Sequence, residues 1–168
     1  MKGFTLIELI IVIVIIGISS VVAAPRFIDF RSDAKVAQLE GMLAAIRSST
    51  DLAASKALIE GVEVGVLDYY GQNINIAGGY PTAQYNATFY ALIVDSGRFD
   101  TGTTAICTED WCTRGNFGTL GIAGASTAHN LQVWPRDYRR TDNCYAWYHN
   151  GFSGGDNQIA SGIVSSGC

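Results

Sequence analysis

Six side chains in the C-terminal half have the types that do chemistry: Cys107, Cys112, Cys144, Cys168, His129 and His149. A thiolate beside an imidazole base makes a nucleophile, and Cys107, Cys112 and Cys144 with His149 would suit zinc. Neither pattern is well formed. The cysteines lack the close-spaced pairs of a zinc motif, and no base with its orienting residue stands at a telling spacing. An even number of cysteines in a short chain with an export-type N-terminus reads instead as disulfides made in an oxidising compartment. Disulfide bonding removes both nucleophile and ligand, and the sequence leaves three pairings open. Gly154-Gly155-Asp156-Asn157 gathers oxygen atoms without the alternating carboxylates and closing Glu of a calcium loop, and reads as a turn. Asn86-Ala87-Thr88 matches a glycosylation triplet short enough to arise by chance. The expectation is a protein with no catalytic residue, no metal and no cofactor.

The other chemically charged position is Glu8, the one ionisable side chain in the apolar run FTLIELIIVIVIIGISSVVAA from Phe4 to Ala24. At about 1.5 Å per residue this run makes a helix of roughly 30 Å, the thickness of a bilayer core. A carboxylate at the centre of a membrane costs on the order of 2.5 to 3.5 kcal/mol, less towards one end where Glu8 lies. A charge kept there is by default functional, and its natural partner is a cation at the same depth, from another molecule or from a freed N-terminal amine. Snorkelling to the interface is the bland alternative. A secretory signal peptide would have a shorter apolar region and a clearer basic start, with its cleavage site near Ala23, Ala24 and Pro25.

Lys2-Gly3 followed by Phe4-Thr5-Leu6-Ile7-Glu8 resembles the leader and cleavage motif of type IV pilins and their pseudopilin relatives. The resemblance implies a leader of residues 1–3 removed after Gly3, N-methylation of the new terminus at Phe4, and a Glu8 that neutralises the Phe4 amine of a neighbouring subunit. A carboxylate paired across subunits would fix register, because a misplaced subunit leaves its charge unpaired. The resemblance also implies that the helix between Gly17 and Pro25 loosens in assembled filaments. Pro25 by itself removes an amide donor and predicts a kink or a melted turn. Charge does not orient the span, since Lys2 precedes it while Arg26, Arg31 and Lys35 follow, against the positive-inside tendency. A cytoplasmic N-terminus is implied by the resemblance alone. Gly79-Tyr80-Pro81-Thr82-Ala83, Trp134-Pro135, Cys144-Tyr145 and the terminal Ser166-Gly167-Cys168 resemble the mannose-sensitive haemagglutinin branch of the type IVa pilins. From the family's habit of clamping its C-terminal region, the resemblance implies a Cys144 to Cys168 bridge, leaving Cys107 to Cys112.

Those residues need elements to hold them. Residues 4–24 are expected to be the membrane and filament-core half of a long helix, and residues 25–60 its amphipathic half. In the second half Val36, Leu39, Leu43, Ile46, Thr50, Ala53 and Ala57 recur every three or four residues, with Asp33, Lys35, Glu40, Arg47, Asp51 and Lys56 on other faces. Gly61 supplies the stop near Ile59. The same stripe admits a short coiled coil, but its small and polar members favour packing on the molecule's own sheet. Residues 61–168 form the expected globular head, rich in Gly, Thr, Asn and Tyr, with an αβ loop and an antiparallel sheet. Strands are predicted at Val62 to Leu67, Leu131 to Pro135, Cys144 to His149 and Gln158 to Val164, and a short second helix at Thr82 to Val94. The fold class is α+β: a type IV pilin fold, with its long N-terminal helix on a small antiparallel sheet and a disulfide-bonded C-terminal region.

A net charge of −4 with no Lys/Arg run lacks the basic footprint of a nucleic-acid binder. The leading reading is the structural subunit of an adhesive surface pilus, inserted in the inner membrane as a single-pass precursor and then polymerised with its own copies. It implies a prepilin peptidase that is also the N-methyltransferase, an inner-membrane assembly platform and an outer-membrane secretin as partners. Tyr69, Tyr70, Tyr80, Tyr85, Trp111, Trp134, Tyr145, Trp147 and Tyr148 make an aromatic-rich head that could offer stacking faces to host or surface glycans or to partner subunits, with most of them expected in the core and interfaces. The alternatives are a type II secretion pseudopilin, a minor pilin and, from another class, a membrane-anchored enzyme or sensor.

Overall fold

The computed structural model describes residues 4–84, 92, 97–98, 105–117, 130–153 and 158–168. Two compact units divide the chain, residues 1–37 and residues 38–168. Helix α1 (Leu6–Glu60) contributes its first part to one and its last part to the other. It is helical without interruption through Gly17 and Pro25. β-branched Ile and Val fill the apolar part of this helix and small residues much of its later part, and its only proline sits where the apolar run ends, so that turn alone lacks an amide donor.

α1 stops by a Schellman arrangement. Gly61 takes φ 70°, a left-handed conformation that costs glycine little. The Gly61 amide donates to the Leu58 carbonyl at 3.3 Å and the Val62 amide to Ala57 at 2.8 Å, so carbonyls the helix leaves open are satisfied. Val62 then packs with Ala57, starting the core.

Among the described residues eight strands follow, β1 (Val64–Tyr69), β2 (Gln72–Ala77), β3 (Tyr80–Pro81), β4 (Gly97–Arg98), β5 (Trp111–Phe117), β6 (Asn130–Pro135), β7 (Tyr145–Asn150) and β8 (Ile159–Val164). They form two sheets, a three-stranded β1-β2-β3 and a five-stranded β4-β5-β6-β7-β8. Every adjacent pair is antiparallel except β4 with β5. The sequence reading missed β2, β3, β4 and β5, and began the first strand two residues early. Of the predicted helix at Thr82 to Val94, residues 85–91 and 93–94 lie outside the described residues; Leu92 is helical, whereas Thr82 to Gln84 are not.

Two-residue turns join the small sheet. Tyr70 (φ 52°) with Gly71 (φ 83°) links β1 to β2, and Gly78 (φ 63°) with Gly79 (φ 78°) links β2 to β3. Paired left-handed residues match the twist of an antiparallel hairpin.

One side of α1 within the second unit meets both sheets. Ile46 packs with Leu131, Val133, Ala146 and Tyr148 of the large sheet, and Ala53 and Ala57 pack with Leu67, Ile74 and Ile76 of the small one. The predicted helix stripe is therefore the core stripe from Leu39 onward, with Thr50 satisfied by donating to the Ile46 carbonyl at 2.9 Å. A third cluster, Cys107, Cys112, Trp134 and Tyr145, lies on the far face of the large sheet.

Candidate functional site

At the start of α1 the Thr5 carbonyl accepts the amides of Glu8 at 3.1 Å and Leu9 at 3.3 Å. The Thr5 hydroxyl donates to Glu8 Oε2 at 3.4 Å, a contact a first-turn acid commonly makes. Both Phe4 and Glu8 are exposed, Phe4 by 74 %. Gly3 lies outside the described residues. Gly17 carries nothing that a neighbour must avoid within its own chain, and Ser20 returns its hydroxyl to the Ile16 carbonyl at 2.7 Å.

The decisive feature of this region is its apolar surface. Leu6, Ile7 and Leu9 to Ile16, then Ile18 and Val21, are all exposed, none by less than 42 %. They surround the helix on every side, so no single amphipathic contact could cover them. Leaving so many large side chains in water forfeits on the order of 1.5 to 3 kcal/mol for each, and such a surface marks an interaction partner or a lipid phase. Among the described residues no helix is long and apolar enough to cross a membrane. The described side chains of the run, Leu6 to Val21, cover about 24 Å, while the expected span continues to Ala24.

In the head, Cys107 is bonded to Cys112 and Cys144 to Cys168, and no free thiol remains. The longer bridge ties the last residue to the start of β7. Tyr138 donates its hydroxyl to the Cys168 carbonyl at 3.2 Å and the Gly167 amide donates to Asn143 at 3.1 Å, fastening the same end. His149 is fully buried and its Nδ1 lies 2.8 Å from Asn130 Oδ1. The imidazole is thus a core hydrogen-bonding group. Among the described residues no three His, Cys, Asp or Glu side chains gather as metal ligands.

Sequence reasoning missed the polar clasp between the two sheets. Asn150 is fully buried, and its Nδ2 lies 3.1 Å from the Ala77 carbonyl, 3.1 Å from that of Tyr80 and 2.9 Å from that of Pro81. Its Oδ1 accepts the Phe152 amide at 3.0 Å, and Tyr148 donates its hydroxyl to Pro81 at 2.8 Å. Burial holds the Tyr148 phenol well above the usual tyrosine range. Burial likewise raises Tyr145, opposed by its hydrogen bond to Gln132 and by the charge of Arg140. Desolvation, helped by the nearby charge of Arg114, lowers Arg140.

Residues 1–24 match the prokaryotic N-terminal methylation motif. Over 56 aligned residues the chain is 52 % identical to a major component of the narrow type IV pilus of Thermus thermophilus, an alignment covering 33 % of this chain and 48 % of that one, about half its length. Fimbrial protein Q of Moraxella bovis is 33 % identical over 124 residues, covering 74 % of this chain and 75 % of the relative. A type IV major pilin of Neisseria gonorrhoeae is 26 % identical over 166 residues, with 86 % and 74 % covered. No solved structure gives a significant match. With the methylation motif over the helix's exposed apolar start, and two Moraxella bovis relatives, a fimbrial protein and a type IV pilin, each 33 % identical over nearly three quarters of the chain, the chain belongs to the type IV pilin family, the structural subunits of pili.

Proposed function

We propose that this chain is synthesised as a prepilin, cut after Gly3, N-methylated on Phe4 and polymerised with its own copies into an extracellular filament for surface attachment. The observation that carries the reading is the unbroken exposure of Leu6 to Val21 within the methylation motif of residues 1–24. Lipid covers that surface in the inner-membrane precursor, and sibling helices cover it in the filament, so assembly exchanges one apolar environment for another. Glu8 is the group that makes the exchange selective. In a neighbour's apolar surroundings its carboxylate needs a cation, and the freed amine of Phe4 is the one that cleavage creates at that depth.

The machinery that follows from this route is a prepilin peptidase with methyltransferase activity, an inner-membrane assembly platform and an outer-membrane secretin. Gly17 and Pro25 are where the helix yields when the filament is stretched, Pro25 lacking the amide its turn would use. The aromatic head is the part offered to surface glycans, and Gly79 to Ala83 with the terminal Cys168 incline the reading to the mannose-sensitive haemagglutinin branch. Two variants test it. Gly3→Leu leaves uncut precursor in the membrane; Glu8→Ala is cut and methylated yet yields few filaments. Wild-type filament amounts from Glu8→Ala would remove the proposed role of that carboxylate.

A further inference from the structure

The large sheet packs one face on α1 through Leu131, Val133, Ala146 and Tyr148. Its other face carries a polar patch that assembly does not use. Arg114 of β5 stands opposite Gln132 of β6, Gln132 opposite Trp147 of β7, and Trp147 opposite Gly162 of β8, so the four form one row on the far face. Cross-strand neighbours in such a row hold their Cβ atoms about 4.5 to 5.5 Å apart. β5 shifts register between Arg114 and Phe117, a bulge that ends the row. Arg140, from the single helical turn Arg140–Asp142, reaches back to it, its Nη1 donating to Gln132 Oε1 at 3.4 Å. Tyr145 hydrogen-bonds the same Gln132, which is buried. The Trp147 indole lies against Gly162, where a Cβ would stand 2.9 Å from the ring. Glycine at that position gives the indole its seat on the strand. Arg114, Arg140 and Trp147 each keep part of their surface in water.

Two guanidiniums in one patch repel each other. Desolvation, and after it the charge of Arg114, lowers the Arg140 guanidinium, and an anion bound beside both arginines relieves that strain. Planar guanidinium forks match a carboxylate bidentately, and the neighbouring indole supplies an apolar face. We propose that this patch binds an acidic sugar, a uronate unit of a surface polysaccharide, with its carboxylate on Arg114 and Arg140 and its ring against Trp147. Charge beside an aromatic face selects that class. A phosphodiester chain needs cations strung along its length, whereas this chain has a net charge of −4 and no Lys/Arg run. Asp137 and Asp142 stand in the same β6–β7 connection as Arg140, which confines the positive charge to one spot. A neutral sugar would meet the indole and leave both guanidiniums out of the contact. The site rests on the attachment reading above and names the chemistry to which the head attaches.

The test uses the full-length subunit purified in detergent with both disulfides closed. Calorimetric titration compares trigalacturonate with the galactose trimer of the same linkage, which carries hydroxymethyl groups in place of the carboxylates. Trigalacturonate is expected to bind about tenfold or more tightly, and added salt to narrow the difference. Arg114→Gln and Arg140→Gln are each expected to lose about tenfold for the acidic trimer and nothing for the neutral one. Should Arg140→Gln fail to form its disulfides, Arg114→Gln is read alone. No binding of trigalacturonate, equal binding of the two trimers, or wild-type affinity in the arginine variants overturns the site. Tighter binding of a thymidine trinucleotide than of trigalacturonate also overturns it, in favour of single-stranded nucleic acid. Because binding is read on the separate subunit, absence of filaments from wild-type cells overturns the attachment reading alone.

Discussion

Asn150 is the residue on which the head's two sheets converge, since one buried amide serves three backbone carbonyls of the β2–β3 connection. Asn150→Ala removes that donor from all three, the Pro81 carbonyl keeping the Tyr148 hydroxyl, and unmet buried polar groups cost about 1 to 3 kcal/mol each before relaxation. The expected loss is roughly 3 kcal/mol, read from chemical denaturation of the purified subunit in detergent; a change below about 0.5 kcal/mol, the range of neutral surface substitutions, would show that water replaces the clasp. Tyr148 beside it sets a pH limit. Its folded value is raised by burial, so the native phenol keeps its proton where the unfolded one ionises near pH 10. The stabilisation is whole below about pH 10 and declines as pH rises from there towards the folded value, and Tyr145, raised for the same first reason, adds to the decline. Denaturation midpoints are therefore expected to be flat from pH 8 to 9.5 and to drop above 10; Tyr148→Phe should flatten that drop.

The turns and bridges show how local conformation and packing combine. Gly78 and Gly79 both hold positive φ, but a Cβ on Gly78 would lie 2.3 Å from the Phe152 ring, whereas one on Gly79 meets nothing within 4 Å. Gly79→Ala should cost about 1 kcal/mol of backbone strain, and Gly78→Ala that amount plus roughly 1 to 3 kcal/mol for the displaced ring. Equal losses from the two in thermal melts would mean that the ring yields freely. The Cys144 to Cys168 bridge, with a sequence separation of 24, constrains the unfolded chain by roughly 3 kcal/mol, and the Cys107 to Cys112 loop by roughly 2. Mild reduction should lower the midpoint accordingly. Elements with a local signal could be read from the residues alone: α1 from its three-and-four spacing, and β6 to β8 from short apolar runs between turns. β2 and β5 could not. QNINIA is half polar and WCTRGNF contains Gly and Arg, and both become strands through the partners beside them. Asn130, Gln132 and Asn150 were illegible for the same reason, because nothing in sequence marks a polar side chain as buried until its carbonyl or amide partner arrives.

For the molecule as a whole, the type IV pilin family was the most legible property. Its signal, the Lys2-Gly3-Phe4 start and a single Glu8 in an apolar run, lies in adjacent residues and needs no tertiary context. The head's surface is the opposite case, since which aromatics face outward depends on the whole sheet: Trp134 and Tyr148 are buried while Tyr70 is 86 % exposed. The account stands on one claim, that cleavage at Gly3 creates the amine which, with the apolar helix, turns separate subunits into a fibre. Intact mass spectrometry of filaments sheared from wild-type cells tests it most directly. The expected result is fibres made of this chain beginning at methylated Phe4 with both disulfides closed. A chain that retains Met1 to Gly3, or one that never enters a filament, would contradict it.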